Sequence, residues 1–233
     1  MESPLAPRIL YEDNHLLAVC KPGGMLSQGD ESGDKSVFDW ARDYLKTTYH
    51  KPGEVYLALL HRLDRPVGGV QLLAKTGKAA ARLSKDWQAH QVQKTYWAVV
   101  HGVPPETTGT LTHWLRKLPD KNIVRAYKNP GQGAKEAVLN YRLLARVGDH
   151  SLLEVVPRTG RQHQIRVQLA AMGCPIVGDV KYGKSDFLPD RSIALWSRQL
   201  RITHPTLKEV RTFTAEPPAL AVWRPFASQG KGS

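Results

Sequence analysis

His61-Arg62-Leu63-Asp64-Arg65-Pro66-Val67-Gly68-Gly69 joins two apolar runs, residues 57–63 and 70–74, and its reading decides the architecture around it. Pro66 disfavours the α conformation at Arg65, and the paired glycines permit a tight turn, so the segment reads as strand, loop, strand with Asp64 on the loop. A loop between strands is where a rigid scaffold presents reactive groups. Arg62 and Arg65 flank the carboxylate. An arginine within about 4–6 Å lowers an aspartate pKa by roughly 1–3 units, which keeps the carboxylate ionised at neutral pH, as a nucleophile requires. A purely structural Asp–Arg pair at a β-turn fits the same residues.

Outward from this loop the pattern is rich in strands. Upstream, residues 8–11 and 16–20 read as short strands around Glu12-Asp13-Asn14, Lys21-Pro22-Gly23-Gly24 forms a turn, and residues 37–49 have helical spacing. Downstream, Thr76 is placed to cap a helix running to about Trp87. Strands follow over residues 94–100, 111–115, 123–126, 138–145 and 151–156, a helix over 162–172 stopped by Gly173 and Pro175, and short strands near Leu195 and over 200–203 and 210–214. Residues 228–233 read as a polar, disordered tail after a single domain over 1–227. No fixed-period repeat and no βαβ alternation with a glycine-rich phosphate loop occurs. The expected class is α+β, a mixed, mostly antiparallel sheet with a few flanking helices.

The 33 Lys and Arg against 21 Asp and Glu leave a formal charge of +12. Such an excess favours a polyanionic partner, because each phosphate contact releases counterions, although a basic, soluble surface has the same composition. No long apolar run or basic amphipathic helix points to a membrane. Cys20 and Cys174 are far apart and lack neighbouring metal-ligand spacings, so neither a disulfide framework nor a structural metal site is expected. No leader pattern opens the chain, and a cytoplasmic setting is the expectation.

Four segments, in order, resemble the RluA-type RNA pseudouridine synthases: the run from His61 to Gly69; Lys94-Thr95-Tyr96-Trp97-Ala98-Val99-Val100-His101-Gly102; Arg158-Thr159-Gly160-Arg161-Gln162-His163-Gln164-Ile165-Arg166; and Gly178-Asp179 through Tyr182-Gly183. The resemblance extends from about residue 9 to 218. It implies the pseudouridine synthase fold and a cofactor-free isomerisation of uridine in tRNA or rRNA, with the base flipped from its stack. It further implies Asp64 as nucleophile, Tyr96 beside the target base, Arg166 as the basic partner of the aspartate, and Arg62 helping to displace the flipped base. Arg65, Lys94, Arg158, Arg161 and His163 fall in the surrounding RNA-binding shell. No metal and no obligate protein partner are implied, and a monomer is expected.

The residues of the third segment support an anion site independently. Arg158 and Arg161 crowd the start of a helix whose dipole is already positive there, so a phosphate would offset them. Helical spacing puts Ile165, Leu169 and Met172 on one stripe and leaves Arg166 to point at a ligand, while His163 reads equally as structural or functional. The chain departs from many relatives at Val67-Gly68 (often Thr-Ser), Gln168 (often His), Cys20 (often Asn) and Trp196-Ser197 (often His-Ala). Residues 1–8 leave no room for the small N-terminal RNA-binding module of many relatives, so target choice is expected to come from the catalytic domain. An inactive RNA-binding protein on the same fold is the main rival. A glycoside hydrolase would want a second carboxylate, and only Asp179 occurs in the matched segments.

Overall fold

A computed structural model describes residues 6–50, 52–118, 122–183 and 187–230. In chain order its elements are β1 (Arg8–Glu12), β2 (Leu16–Lys21), α1 (Val37–Thr48), β3 (Ala58–Leu59), β4 (Gly68–Ala74), α2 (Gly77–Gln88), β5 (Gln93–His101), β6 (Thr108–Lys117), β7 (Val124–Tyr127), β8 (Lys135–Val147), β9 (His150–Pro157), α3 (Gln164–Ala171), β10 (Leu195–Thr203), β11 (Val210–Thr214) and a 3-10 helix, Arg224–Gly230. The paired strands are antiparallel throughout the registered ladders, so the mixed α+β class with flanking helices holds. The chain divides into two compact units, Met1–Lys94 with Ser197–Glu216, and Thr95–Trp196 with Pro217–Ser233.

In the first unit, β2 lies between β1 and β4, β10 follows β4, and β11 pairs with β10. All seven residues of β4 are buried, as expected of a strand covered on both faces. Helix α1 starts at a capping box: Ser36 Oγ accepts from Asp39 N–H while Asp39 reaches back to the Ser36 N–H. Its Val37, Ala41 and Leu45 recur at helical spacing and pack with Leu17, Val19, Leu57 and Leu73. Thr76 caps α2 through Ala79 N–H, as its place in the sequence suggests. The glycines after Pro66 act differently from the turn expected of them. The turn is closed earlier, by Val67 N–H on the Asp64 carbonyl at 2.9 Å, and Gly68 and Gly69 already belong to β4. Gly69 is required by close approach: a Cβ there would lie 2.2 Å from the Ser197 carbonyl oxygen, at a φ of +111°.

The sheet of the second unit runs in the order β5-β9-β8-β6-β7, so β5 and β8 each have a neighbour distant in sequence. Helix α3 packs with it through Val167, which joins Leu115, Val124 and Ala137 in a small core. The helix starts two residues later than expected because His163, its N-cap, takes a left-handed conformation at φ 53°. The expected strand over 57–63 shrinks to Ala58–Leu59, and the separate strands near Leu195 and over 200–203 are one strand, β10. The 3-10 helix reaches Gly230, inside the segment read as a tail, and residues 231–233 lie outside the described residues. Among the described residues no helix is long and apolar enough to cross a membrane.

Candidate active site

The Asp64 loop is gripped through its backbone on both sides of the aspartate. Ser27 Oγ, buried, donates to the Leu63 carbonyl at 2.8 Å and accepts from the Leu63 N–H at 3.0 Å. These bonds satisfy the backbone of Leu63, which lies beyond the end of β3 at Leu59. On the other side Lys21, fully buried, donates through Nζ to the carbonyls of Pro22, Met25 and Arg65 at 3.0, 2.5 and 3.1 Å. Burial pulls the Lys21 pKa down to about 7; the Asp64 carboxylate opposes that shift and Arg65 adds to it. Asp64 itself is half-buried. Lys21 and Ser27 carry a large share of the loop's order, and neither has a separate signal in the sequence; Lys21 reads only as part of a Lys-Pro-Gly-Gly turn.

The flanking arginines differ. Arg62 is exposed. Arg65, also exposed, donates through Nε to the Gly24 carbonyl at 3.0 Å and forms an ion pair with Asp34, so it braces the neighbouring loop. His61 is half-buried, stacks on Trp87 with ring centroids 5.1 Å apart, and accepts the Leu72 N–H at Nε2 at 3.0 Å. Burial, with a smaller contribution from the Lys94 charge, pushes the His61 pKa down to about 3. Lys94, half-buried at the end of the same unit, has its pKa lowered by desolvation.

In the second unit Tyr96 lies half-buried on β5 opposite Val155. The segment from Thr159 to Arg166 is organised by Gln164. Its Oε1 accepts from Thr159 Oγ1 at 2.7 Å and from the Arg161 N–H at 3.0 Å, and its Nε2 donates to the Val138 carbonyl at 3.0 Å. One buried amide thus ties the turn before α3 onto β8. Arg158 and Arg161 are exposed at this end of the helix, and Arg161 Nε reaches the Glu136 carbonyl at 3.0 Å. Arg161, Lys117, Lys135 and Gly160 line an open groove of about 350 Å³.

Helical spacing leaves Arg166 free to point at a ligand, and the structure buries it. Residues 164–169 are buried on every side, and the Arg166 guanidinium forms a bidentate pair with buried Asp179, Nε–Oδ2 2.7 Å and Nη2–Oδ1 2.8 Å. Tyr182 lies 5.2 Å beneath the guanidinium, accepts the Val124 N–H at 2.9 Å, and meets His163 Nδ1 at 2.6 Å. His163 is therefore buried and hydrogen-bonded. The carboxylate and the tyrosine of the Gly178–Gly183 segment are the fixtures of Arg166 and His163, a role that sequence order did not disclose. Gln168, where many relatives have His, is fully buried and donates to the Leu111 and Ala137 carbonyls at 3.0 and 3.1 Å, bracing β6 and β8.

Residues 15–171 match the family model for RNA pseudouridylate synthase. The chain is 34% identical to an uncharacterised RNA pseudouridine synthase of Synechocystis sp. over 91% of its own length and 65% of that protein. It is likewise 34% identical to the tRNA pseudouridine synthase C of Pectobacterium carotovorum subsp. carotovorum, over 89% of its length and 58% of that protein. It therefore spans less than two thirds of the length of these curated relatives. The solved structure of human RNA Pseudouridylate Synthase Domain Containing 4 superposes with a TM-score of 0.76 at 26% identity, covering 91% of this chain and 89% of that one. The chain belongs to the RNA pseudouridylate synthase family.

Proposed function

We propose that this protein isomerises uridine to pseudouridine within structured RNA, with Asp64 as the nucleophile. The observation that carries the reading is the aspartate loop: buried Ser27 holds both backbone groups of Leu63 and buried Lys21 holds the Arg65 carbonyl, so the backbone on either side of Asp64 has a fixed position of the kind a reaction at one carbon demands. The glycosidic C1′–N1 bond of the uridine breaks, the freed uracil turns, and C1′–C5 forms, while the proton on C5 is lost and N1 gains one. Atoms and charge balance with no cofactor. Asp64 starts the sequence either by attack at the sugar or by taking a proton from it. Tyr96 and Arg166 occupy the matching family positions and are assigned to the base and to the positive charge that the chemistry uses.

The partner is RNA, tRNA or rRNA, the two classes in the printed names of relatives. A net charge of +12 favours its backbone, and the open groove between Lys117, Lys135 and Arg161 suits phosphates without reading sequence. Arg62, Arg65, Arg158 and Lys94 are assigned to the same RNA-binding shell, and His163 supports it from beneath. Base flipping costs a few kcal/mol, least in loops and weak stems, so an accessible uridine in a folded RNA is the expected target. A cytoplasmic monomer fits this role.

The test is to incubate wild type and Asp64→Asn with unmodified tRNA and rRNA and map pseudouridines at single-nucleotide resolution. New sites with wild type alone, and RNA affinity within a few-fold in both proteins, are expected. Modification by Asp64→Asn would remove Asp64 from the chemistry. Tight binding without new sites in either protein favours the inactive RNA-binding protein.

A further inference from the structure

His101 ends β5 and His150 begins β9, and the two are directly opposite each other in the antiparallel ladder. Opposed residues of such a pair point to the same face with Cβ atoms about 4.5–5.5 Å apart. Their rings accordingly lie with centroids 5.0 Å apart. The turn between β8 and β9 adds Asp149, whose Oδ1 is 3.0 Å from His150 Nδ1. One ring nitrogen from each histidine and one carboxylate oxygen all fall within 4.8 Å of one another. His101 Nε2 is buried and has no hydrogen-bond partner, a cost that a native fold seldom leaves without cause. The backbone beneath is firm: Gly102 N–H donates to the Asp149 carbonyl at 2.7 Å, Ser151 Oγ to the Gly102 carbonyl at 2.8 Å, and Arg146 Nε to the Gly148 carbonyl at 3.0 Å.

We propose that His101, Asp149 and His150 form a binding site for a borderline divalent transition metal of the zinc class. Two imidazoles and one carboxylate are the donor set that such ions take, whereas Mg²⁺ and Ca²⁺ prefer oxygen alone. Bonds of about 2.0–2.2 Å place tetrahedral ligand atoms roughly 3.3 Å apart, which side-chain rotation reaches from the present separations. Asp149 is 83% exposed, so the fourth position faces solvent. The bound ion would join the end of β5 to the β8–β9 turn and clamp the rim of this unit. It takes no part in the chemistry proposed for Asp64, so its test is independent of that reading.

The experiment uses the full chain without an affinity tag, stripped by a chelator, and titrated with Co²⁺ followed by its visible ligand-field absorption and with Zn²⁺ followed by thermal unfolding. One Co²⁺ per chain is expected, with a spectrum of four- or five-coordinate nitrogen and oxygen ligation. Zn²⁺ at about a hundredfold excess over its Kd raises Tm by roughly 5 °C. His101→Ala and His150→Ala each abolish both signals. Even outer partners of metal ligands are worth ~10–100-fold in affinity, so Asp149→Asn weakens binding at least about tenfold. Asp149 and His150 lie at a turn, and circular dichroism checks that their variants stay folded. No Co²⁺ spectrum and no Tm rise in wild type overturns the proposal. So does stoichiometric binding that survives in folded His150→Ala, which would move the metal to other donors such as Cys20 or Cys174.

Discussion

The two motif-bearing regions show two kinds of grip. Around Asp64 the grip falls on backbone: Ser27 holds Leu63 and Lys21 holds the Arg65 carbonyl. At Arg166 it falls on the side chain, whose guanidinium is paired with Asp179 and lies over Tyr182. Each kind of grip fixes something different. Bonds to the backbone of Leu63 and Arg65 fix the course of the loop that carries Asp64. A bidentate pair fixes the direction of the side chain itself, and a guanidinium keeps its charge when hydrogen-bonded.

The side-chain grip should be the more fragile. Asp179→Ala leaves the Arg166 charge buried without its carboxylate, and breaking a buried pair in this way destabilises by about 3–5 kcal/mol. Denaturant unfolding of wild type and variant measures this. A loss below about 1 kcal/mol would mean that other groups around Arg166 carry the charge as well, and the contrast between the regions would narrow. Asp179→Asn, which keeps the shape and some hydrogen bonding, should lose less than Asp179→Ala.

How much of this was legible beforehand divides along the same line. Val37, Ala41 and Leu45 announced α1 by spacing, Thr76 announced α2, and the residue types of Asp64, Tyr96 and Arg166 stood in recognisable local motifs. Ser27 and Lys21 did not, because each acts on backbone 36 and 44 residues away, and the partner of a side-chain-to-backbone bond carries no sequence mark. Asp179 was visible as a motif residue, but its pairing across 13 residues was not, and helical spacing left Arg166 free to point at a ligand without showing that it is buried against Asp179. Burial on all sides of α3 removes the amphipathic signal on which that expectation depends. The start of α3 was misplaced because a left-handed His163 is set by the turn that Gln164 organises, not by any intrinsic preference at 163.

The backbone grip can be probed through the pH dependence of Lys21. Its pKa is lowered in the fold, to about 7, from 10.5 in the unfolded chain. Between these values the unfolded chain binds a proton that the folded chain does not, so folding stability rises with pH across the window; the ammonium burden is full below about pH 7 and gone above about 10.5. Lys21→Met removes the titration along with the three carbonyl bonds. The stability difference between wild type and Lys21→Met should therefore shift in favour of wild type by up to a few kcal/mol from pH 7 to pH 10, measured by urea unfolding at each pH. Parallel curves would show that Lys21 stays charged beside Asp64 throughout.

Ser27→Ala gives the smallest change in stability and the sharpest view of the loop. It leaves both the N–H and the carbonyl of Leu63 buried with one partner fewer, worth about 1–3 kcal/mol. If Ser27 acts by positioning Asp64, the pseudouridine-forming activity proposed for this chain loses kcat while KM and RNA affinity hold, because displacement of about 1 Å at a reacting group can cost on the order of 100-fold without touching the phosphate contacts. Ser27→Thr, which keeps the hydroxyl, should recover part of that rate, whereas a role confined to packing predicts that the two variants lose stability and leave kcat alike. Single-turnover rates on a mapped target RNA distinguish the two outcomes, and a rate for Ser27→Ala equal to wild type would place the order of the Asp64 loop in Lys21 and the Val67 turn alone.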